Sequence, residues 1–198
     1  ASKRFNWFDN APTTFSLSFE GRSGRPYSYG FTGDANGDGV SGNDLFFVPS
    51  AGSVQYSSNS TAADIAAFQS YIEGNSDLNS RRGQTTERNT KRGPSVNQFD
   101  VRISQEIPLF RDTRAELWLD VLNIGNLIDD EWGLIEEAAF PYNVGVARMA
   151  GVANGAYVYD VSNYVNDSTG VVNNPSLVRK DAVGESRWAL QVGFRFEF

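Results

Sequence analysis

The sequence has no cysteine and no histidine. Disulfide stapling, thiolate metal sites, and cysteine or histidine nucleophilic and acid/base chemistry are thereby excluded. An oxidising compartment is not, because a closed β-barrel needs no disulfide. No run of about 20 apolar residues occurs, so no transmembrane helix is expected. No basic-plus-apolar leader opens the chain. Either a leader has been removed or Ala1 is not the natural start of the gene product. Positive charge is in the minority: 17 Lys and Arg against 24 Asp and Glu leave a net charge of -7. That balance argues against a nucleic-acid surface. Hydrophobic residues make up 40%, below the soluble average of roughly 45–50%, so their placement carries most of the information.

That placement is clearest at the end of the chain. Trp188, Leu190, Val192, Phe194, Phe196 and Phe198 fall on one face; Ala189, Gln191, Gly193, Arg195 and Glu197 fall on the other. This is a strand period of two. The stretch spans roughly 33 Å at about 3.3 Å per residue. Tilted by about 45°, it covers roughly 24 Å, close to the apolar band of an outer-membrane barrel. Three further stretches carry the period. Phe15, Leu17 and Phe19 mark a strand over about 13–29, with a bulge or bend at Gly21, Gly24 and Pro26. Phe99, Val101 and Ile103 mark one over 98–109. Ala115, Leu117, Leu119 and Val121 mark one over 114–124. A tight turn at Phe110-Arg111-Asp112-Thr113 joins the last two. Ala1 to Pro12 reads as a turn with interfacial aromatics or as the end of an earlier strand.

Between these strands lie two long excursions, 31–97 and 128–186. Within the first, a helix is expected from Ala62 to Ile72 with Thr61 as its cap. The basic stretch from Arg81 to Arg92 reads as a solvated loop, or as an anion or surface-lipid contact. Within the second, Ala153-Asn154-Gly155-Ala156 favours a tight primed hairpin turn. Long connections on one side and short turns on the other are the outer-membrane pattern. Four strands cannot close a barrel, and open edges in lipid are prohibitive. The 198 residues are therefore expected to be part of something larger. A soluble β-sandwich would show the same alternation.

Candidate sites are few. Asp34, Asn36, Asp38 and Gly39 copy the start of an EF-hand-type loop, with oxygen ligands at alternate positions and Gly at the sixth. Leu45 stands where the bidentate acid belongs, Asp44 falls one residue early, and Gly42 offers no side chain at the ninth position. A calcium ion held by Asp34, Asn36, Asp38, the Val40 carbonyl and Asp44 stands against a plain Asn/Asp/Gly turn. Asp129, Asp130, Glu131, Glu136 and Glu137 cluster around Trp132. Two carboxylates about 5–9 Å apart do glycosidase chemistry, but no spacing here fixes that geometry, and an acidic surface or weak divalent-ion binding is the expectation. If the chain hydrolyses anything, Glu136 and Glu137 are the pair to mutate. Without a histidine partner for Ser or Thr, and without a phosphate loop or nucleophile elbow, no enzyme is expected. Arg22, Arg25, Arg102 and Arg195 alternate with apolar residues and are expected to face a barrel lumen, pairing with Glu20, Asp100, Asp120 or Glu197.

Taken in order, Gly21-Arg22-Ser23-Gly24-Arg25-Pro26-Tyr27-Ser28-Tyr29, Asp34-Ala35-Asn36-Gly37-Asp38-Gly39, Asn43-Asp44-Leu45-Phe46-Phe47-Val48-Pro49, Arg82-Gly83, Arg88-Asn89, Phe99-Asp100, Leu119-Asp120-Val121-Leu122-Asn123-Ile124-Gly125-Asn126-Leu127 and the aromatic terminus resemble the carboxy-terminal part of a TonB-dependent outer-membrane receptor. The resemblance is to the Oar-like branch that carries a carboxypeptidase-regulatory-like domain. It covers nearly the whole chain. It implies an all-β fold: residues 1–198 as the carboxy-terminal portion of a 22-stranded transmembrane β-barrel, with loops 31–97 and 128–186 extracellular and both termini periplasmic. The plug domain and the earlier strands are absent from this sequence. The implied function is TonB-coupled uptake of a large or scarce substrate across the bacterial outer membrane. The implied partners are the rest of the same barrel, its plug, outer-membrane lipid, and TonB through the missing amino-terminal part. The alternatives are a surface adhesin without transport, or a secreted β-domain that binds calcium or carbohydrate.

Overall fold

The computed structural model describes residues 1–110 and 113–198. The fold is mostly β. In chain order its elements are β1 Ser2–Phe8, β2 Ala11–Arg22, β3 Pro26–Thr32, β4 Val54–Tyr56, α1 Ala62–Gly74, α2 Ser76–Asn79, β5 Lys91–Arg92, β6 Val96–Pro108, β7 Arg114–Leu122, α3 Ile124–Ile128, β8 Glu136–Glu137, β9 Asn143–Ala153, β10 Ala156–Asp160, β11 Val178–Arg179 and β12 Ala189–Glu197. The chain forms two compact units. The first is Ala1–Gly24, Pro94–Glu136 and Arg179–Phe198; the second is Arg25–Gly93 and Glu137–Val178.

The first unit is an antiparallel sheet in the order β1-β2-β6-β7-β12. Because side chains alternate, register decides which residues share a face. Phe15, Ile103, Leu119 and Val192 stand in one row across four strands, and Leu17, Val101, Val121 and Leu190 in the next. Phe5 and Trp7 extend this face onto β1, where their rings meet Phe15. Much of the face is open: Leu119 is 37% exposed, Phe194 64% and Val192 69%. The opposite face holds Arg102 beside Asp120, with its two bonds at 2.5 and 2.7 Å. There too, Arg195 lies 2.9 Å from Glu116, and Arg4 lies 3.3 Å from Glu106. Trp118 lies flat over Gly193 on this face, in space that any side chain at 193 would fill. Within this chain, much of both the charged face and the aliphatic face of the sheet is thus left uncovered.

Two details differ from the sequence reading. Ala1 to Pro12 supplies a paired strand, β1, closed onto β2 through Asp9 and Asn10, with Asn10 at φ 57°. The stretch 13–29, expected as one strand, is two: after Gly24 and Pro26 the chain leaves this sheet and continues as β3 in the other unit. The turn expected at 110–113 falls on Arg111 and Asp112, outside the described residues. Around it, the Leu109 amide donates to the Thr113 carbonyl at 3.0 Å.

The second unit is built from the two stretches expected as long loops, and it has a core of its own. Its sheet runs β4-β10-β9-β3-β5, with β3–β9 and β4–β10 parallel. Asn154 and Gly155, at φ 51° and 75°, turn β9 into β10 as a two-residue hairpin. Phe31, Phe46, Phe68 and Tyr159 meet mostly edge to face and are buried with Val48, Ile72 and Leu78. Helix α1 starts at Thr61, whose hydroxyl accepts from the Asp64 amide while the Asp64 carboxylate accepts from the Thr61 amide. Asp64 also takes the Val165 amide at 2.9 Å, tying the helix to the segment after β10. Burial works against the Asp64 charge, yet the Thr61 hydroxyl and amide and the Val165 amide hold its pKa below the usual carboxylate range. Burial pushes the Tyr159 and Tyr164 phenols up, so both stay protonated and donate to the Phe47 and Val146 carbonyls, each at 2.7 Å.

Candidate functional site

At the end of the first sheet where the long connections leave, strand ends must hand the backbone over to irregular segments. The carbonyls there need partners. Two asparagines from the Leu119–Leu127 stretch supply them. Asn123, 2% exposed, adopts the left-handed conformation (φ 49°, ψ 54°) that ends β7 and opens α3. Its side-chain amide donates to the Gly133 carbonyl at 3.2 Å and the Ser186 carbonyl at 2.9 Å. Its backbone amide donates to Asp100 at 2.8 Å. Asn126 donates to the carbonyls of Asp130 and Trp132 at 2.9 and 3.1 Å and accepts from the Trp188 amide at 3.3 Å. Gln98 donates to the Gly133 and Glu185 carbonyls. Buried Ser186 accepts from the Ile135 amide at 2.9 Å. Gly133, at φ 65°, sits where a Cβ would overlap the Asn123 amide. Four polar side chains, Gln98 from β6, Asn123 from the β7–α3 junction, Asn126 from α3 and Ser186 from the approach to β12, thus clasp residues 130–135 to the sheet.

The clasp shapes a cleft of about 520 Å³. Phe99 and Asn97 line it from β6, Gly125 and Trp132 form one wall, and Glu131, Glu136 and Arg179 supply charge. The Trp132 ring packs against Gly125 and remains 56% exposed. Arg179 and Glu136 are 3.7 Å apart, a loose pair. This volume and lining suit a small-molecule group with an apolar face and hydroxyl or amide edges. The sequence pointed to the acidic residues around Trp132, but the clasp residues Gln98, Asn123, Asn126, Gly133 and Ser186 were not read as a site. Only the Leu119–Leu127 motif signalled two of them.

The acidic residues do not gather into one constellation. Glu136 and Glu137 are consecutive in β8, so their side chains leave opposite faces. Each meets a different arginine: Glu136 faces Arg179, and Glu137 lies 3.1 Å from Arg25. That geometry gives no carboxylate pair over a shared substrate. Of the arginines expected to face a lumen, Arg22 pairs with Glu20 at 2.8 Å, Arg102 with Asp120, and Arg195 with Glu116 and Glu197. Arg25 instead belongs to the second unit. In the basic stretch, Arg81 meets Glu87 at 3.0 Å, Arg82 meets Glu73 at 3.7 Å and Lys91 meets Asp77.

The 34–44 loop is ordered by its own acids. Asp34 accepts from the amides of Gly37 at 2.7 Å, Gly39 at 2.8 Å and Asp38 at 3.2 Å. Asp38 accepts from the Val40 amide at 2.8 Å and from the Asn36 and Asn43 side chains at 3.1 and 3.2 Å. The Val40 amide, with help from Asn36 and Asn43, lowers the Asp38 pKa from its ordinary value. Asp44 accepts from the Ala35 amide at 2.7 Å, and Gly42 closes the loop onto the Gly33 carbonyl at 2.8 Å. Gly33, Gly37, Gly39 and Gly42 all have positive φ. The carboxylates are thus engaged with amides, and among the described residues no three Asp, Glu, His or Cys side chains converge as a metal site. A cation here would have to draw Asp38 away from the two asparagine amides. Comparison with family models, with curated proteins and with solved structures returns no match.

Proposed function

We propose that the first unit supplies wall strands of an outer-membrane β-barrel receptor for TonB-coupled uptake of a large or scarce substrate. One observation carries the barrel part of this reading. The sheet exposes its aliphatic rows and pairs its charges on the other face, which suits lipid outside and water inside. Exposed aromatics support it at both ends of the aliphatic face: Phe19, Phe99 and Trp188 at the long-connection end, Trp7, Phe196 and Phe198 at the other. The uptake part rests on the family resemblance, as do the remaining strands, the plug and the TonB contact. Calcium in the 34–44 loop is a minor part of the same proposal. A surface adhesin that uses the same strands without transport is the second reading, favoured by the folded second unit with its own core.

The test is fractionation of the polypeptide as the cell makes it. The expected result is recovery in the outer membrane as a band whose gel mobility changes on heating. Recovery as a water-soluble secreted species would refute the barrel. Uptake that is unchanged when TonB is removed would leave the adhesin.

A further inference from the structure

The cleft beside Trp132 opens on a particular face. Asn97 and Phe99, its lining from β6, have the parity of Val101 and Ile103, so they continue the aliphatic face. Phe99 also stacks on Phe19 at 4.7 Å between ring centroids. The cleft therefore stands at the long-connection end of the exposed apolar rows, with aromatic surface below it and polar groups above. The charged lining is one arginine against two glutamates. That set disfavours a phosphate or other anionic group, which would seek clustered cations. It favours a neutral group rich in hydroxyls, which can donate to Glu131 and Glu136, accept from Arg179 and Asn97, and lay an apolar ring face on Trp132.

We propose that this cleft binds the neutral saccharide headgroup of a glycolipid in the outer leaflet, its chains lying along Phe99, Phe19 and Leu17. The proposal rests on the membrane reading of the first sheet. A free saccharide shares the headgroup chemistry, but the continuity of the cleft with the apolar rows assigns the lipid-borne form. The clasp made by Asn123 and Asn126 is what holds the Trp132 segment in place to receive it.

The experiment is native mass spectrometry of the polypeptide as the cell makes it, released from a zwitterionic detergent. The probes are monogalactosyldiacylglycerol, phosphatidylglycerol and free galactose, applied to wild type, Trp132→Ala and Glu131→Gln. The expected result is one retained monogalactosyldiacylglycerol, with retention reduced at least about tenfold in Trp132→Ala and several-fold in Glu131→Gln. Heat-modifiable mobility of each variant confirms folding, and the glutamine variant is the milder change should the alanine fail to fold. Equal retention of phosphatidylglycerol, retention of free galactose as strong as of the lipid, or retention unchanged in both variants would overturn the proposal. A polypeptide that enters detergent micelles and bilayers but retains no glycolipid overturns the cleft alone. One that enters neither overturns the membrane reading and the cleft with it.

Discussion

Leu119→Arg separates lipid from water as the surroundings of the first sheet. Leu119 pairs with Val192, one residue from Gly193, the midpoint between Trp188 and Phe198. It therefore lies about 3 Å along the strand from the centre of the apolar band. In hydrocarbon, an arginine at that depth costs about 2–4 kcal/mol, so about 3 kcal/mol lowers the folding equilibrium roughly 100-fold. In water, a partly exposed surface position changes stability by only about 0.5 kcal/mol either way. Gln191→Arg is the matched control. It sits at the same depth on the charged face, beside Asp120, and its expected effect is within about 0.5 kcal/mol in either setting. The assay is urea titration of the polypeptide folded into phosphatidylcholine vesicles, with the folded fraction read from the heat-modifiable band. Equal effects of the two substitutions, or a Leu119→Arg protein more stable than wild type, would refute the reasoning.

Asn123→Ala removes the donor to the buried Ser186 carbonyl and the half-buried Gly133 carbonyl, at a cost of about 1–3 kcal/mol. It should also loosen the Trp132 segment, read as faster amide exchange over 130–135; unchanged exchange there would show that the clasp is not what holds it. Asp64 contributes in proportion to its depressed folded-state pKa. That contribution is whole above the unfolded value of about 3.9 and is lost as pH falls through the folded value. Amide protection of α1 should hold from about pH 7 to 5 and drop below about pH 4, and Asp64→Asn should flatten that acid response; an unaltered response in the variant would sink the assignment. The 34–44 loop offers five oxygen donors where calcium takes about six to eight. Terbium luminescence competed with calcium should report binding only at about 10⁻⁴–10⁻³ M, weakened several-fold by Asp38→Asn, and silence across that range would remove calcium from the proposal.

The sheet of the first unit is legible in the sequence because each of its four long strands buries nothing against the others except through neighbouring pairs. The alternation of Leu117, Leu119 and Val121 against Trp118 and Asp120 is then undisturbed. β1 is less legible because a register shift between Phe5 and Phe8 breaks its alternation. The second unit escapes a periodic reading for the opposite reason. Its core draws Phe31, Phe46, Phe68 and Tyr159 from four separate segments, and its parallel pairings join residues more than 100 positions apart. The exception is α1, expected over 62–72 and found at Ala62–Gly74, because its Thr61–Asp64 cap is local. The clasp falls between these cases. Asn123 and Asn126 stand out in a recognisable motif, but Ser186, whose carbonyl takes the Asn123 amide, is 63 residues away.

Face and edges together constrain what surrounds the first sheet. Its ion pairs cannot offset an exposed aliphatic face, since surface pairs contribute about 0–1 kcal/mol each. An apolar medium over Leu117, Leu119, Leu190, Val192 and Phe194, which are all exposed, would remove that surface from water. A protein partner could cover the face and still leave the outer edges of β1 and β12 to water, where their free amides and carbonyls are solvated at little cost. Lipid cannot, because each unpaired backbone group in hydrocarbon costs several kcal/mol. Strands such as Ala189–Glu197, whose outer edge has no neighbour among the described residues, would then need one along nearly their full length. The lipid reading thus makes a demand that the protein-partner reading does not. It requires further antiparallel strands on both edges, so that in lipid the sheet has to close into a barrel, whereas against a protein partner it need not.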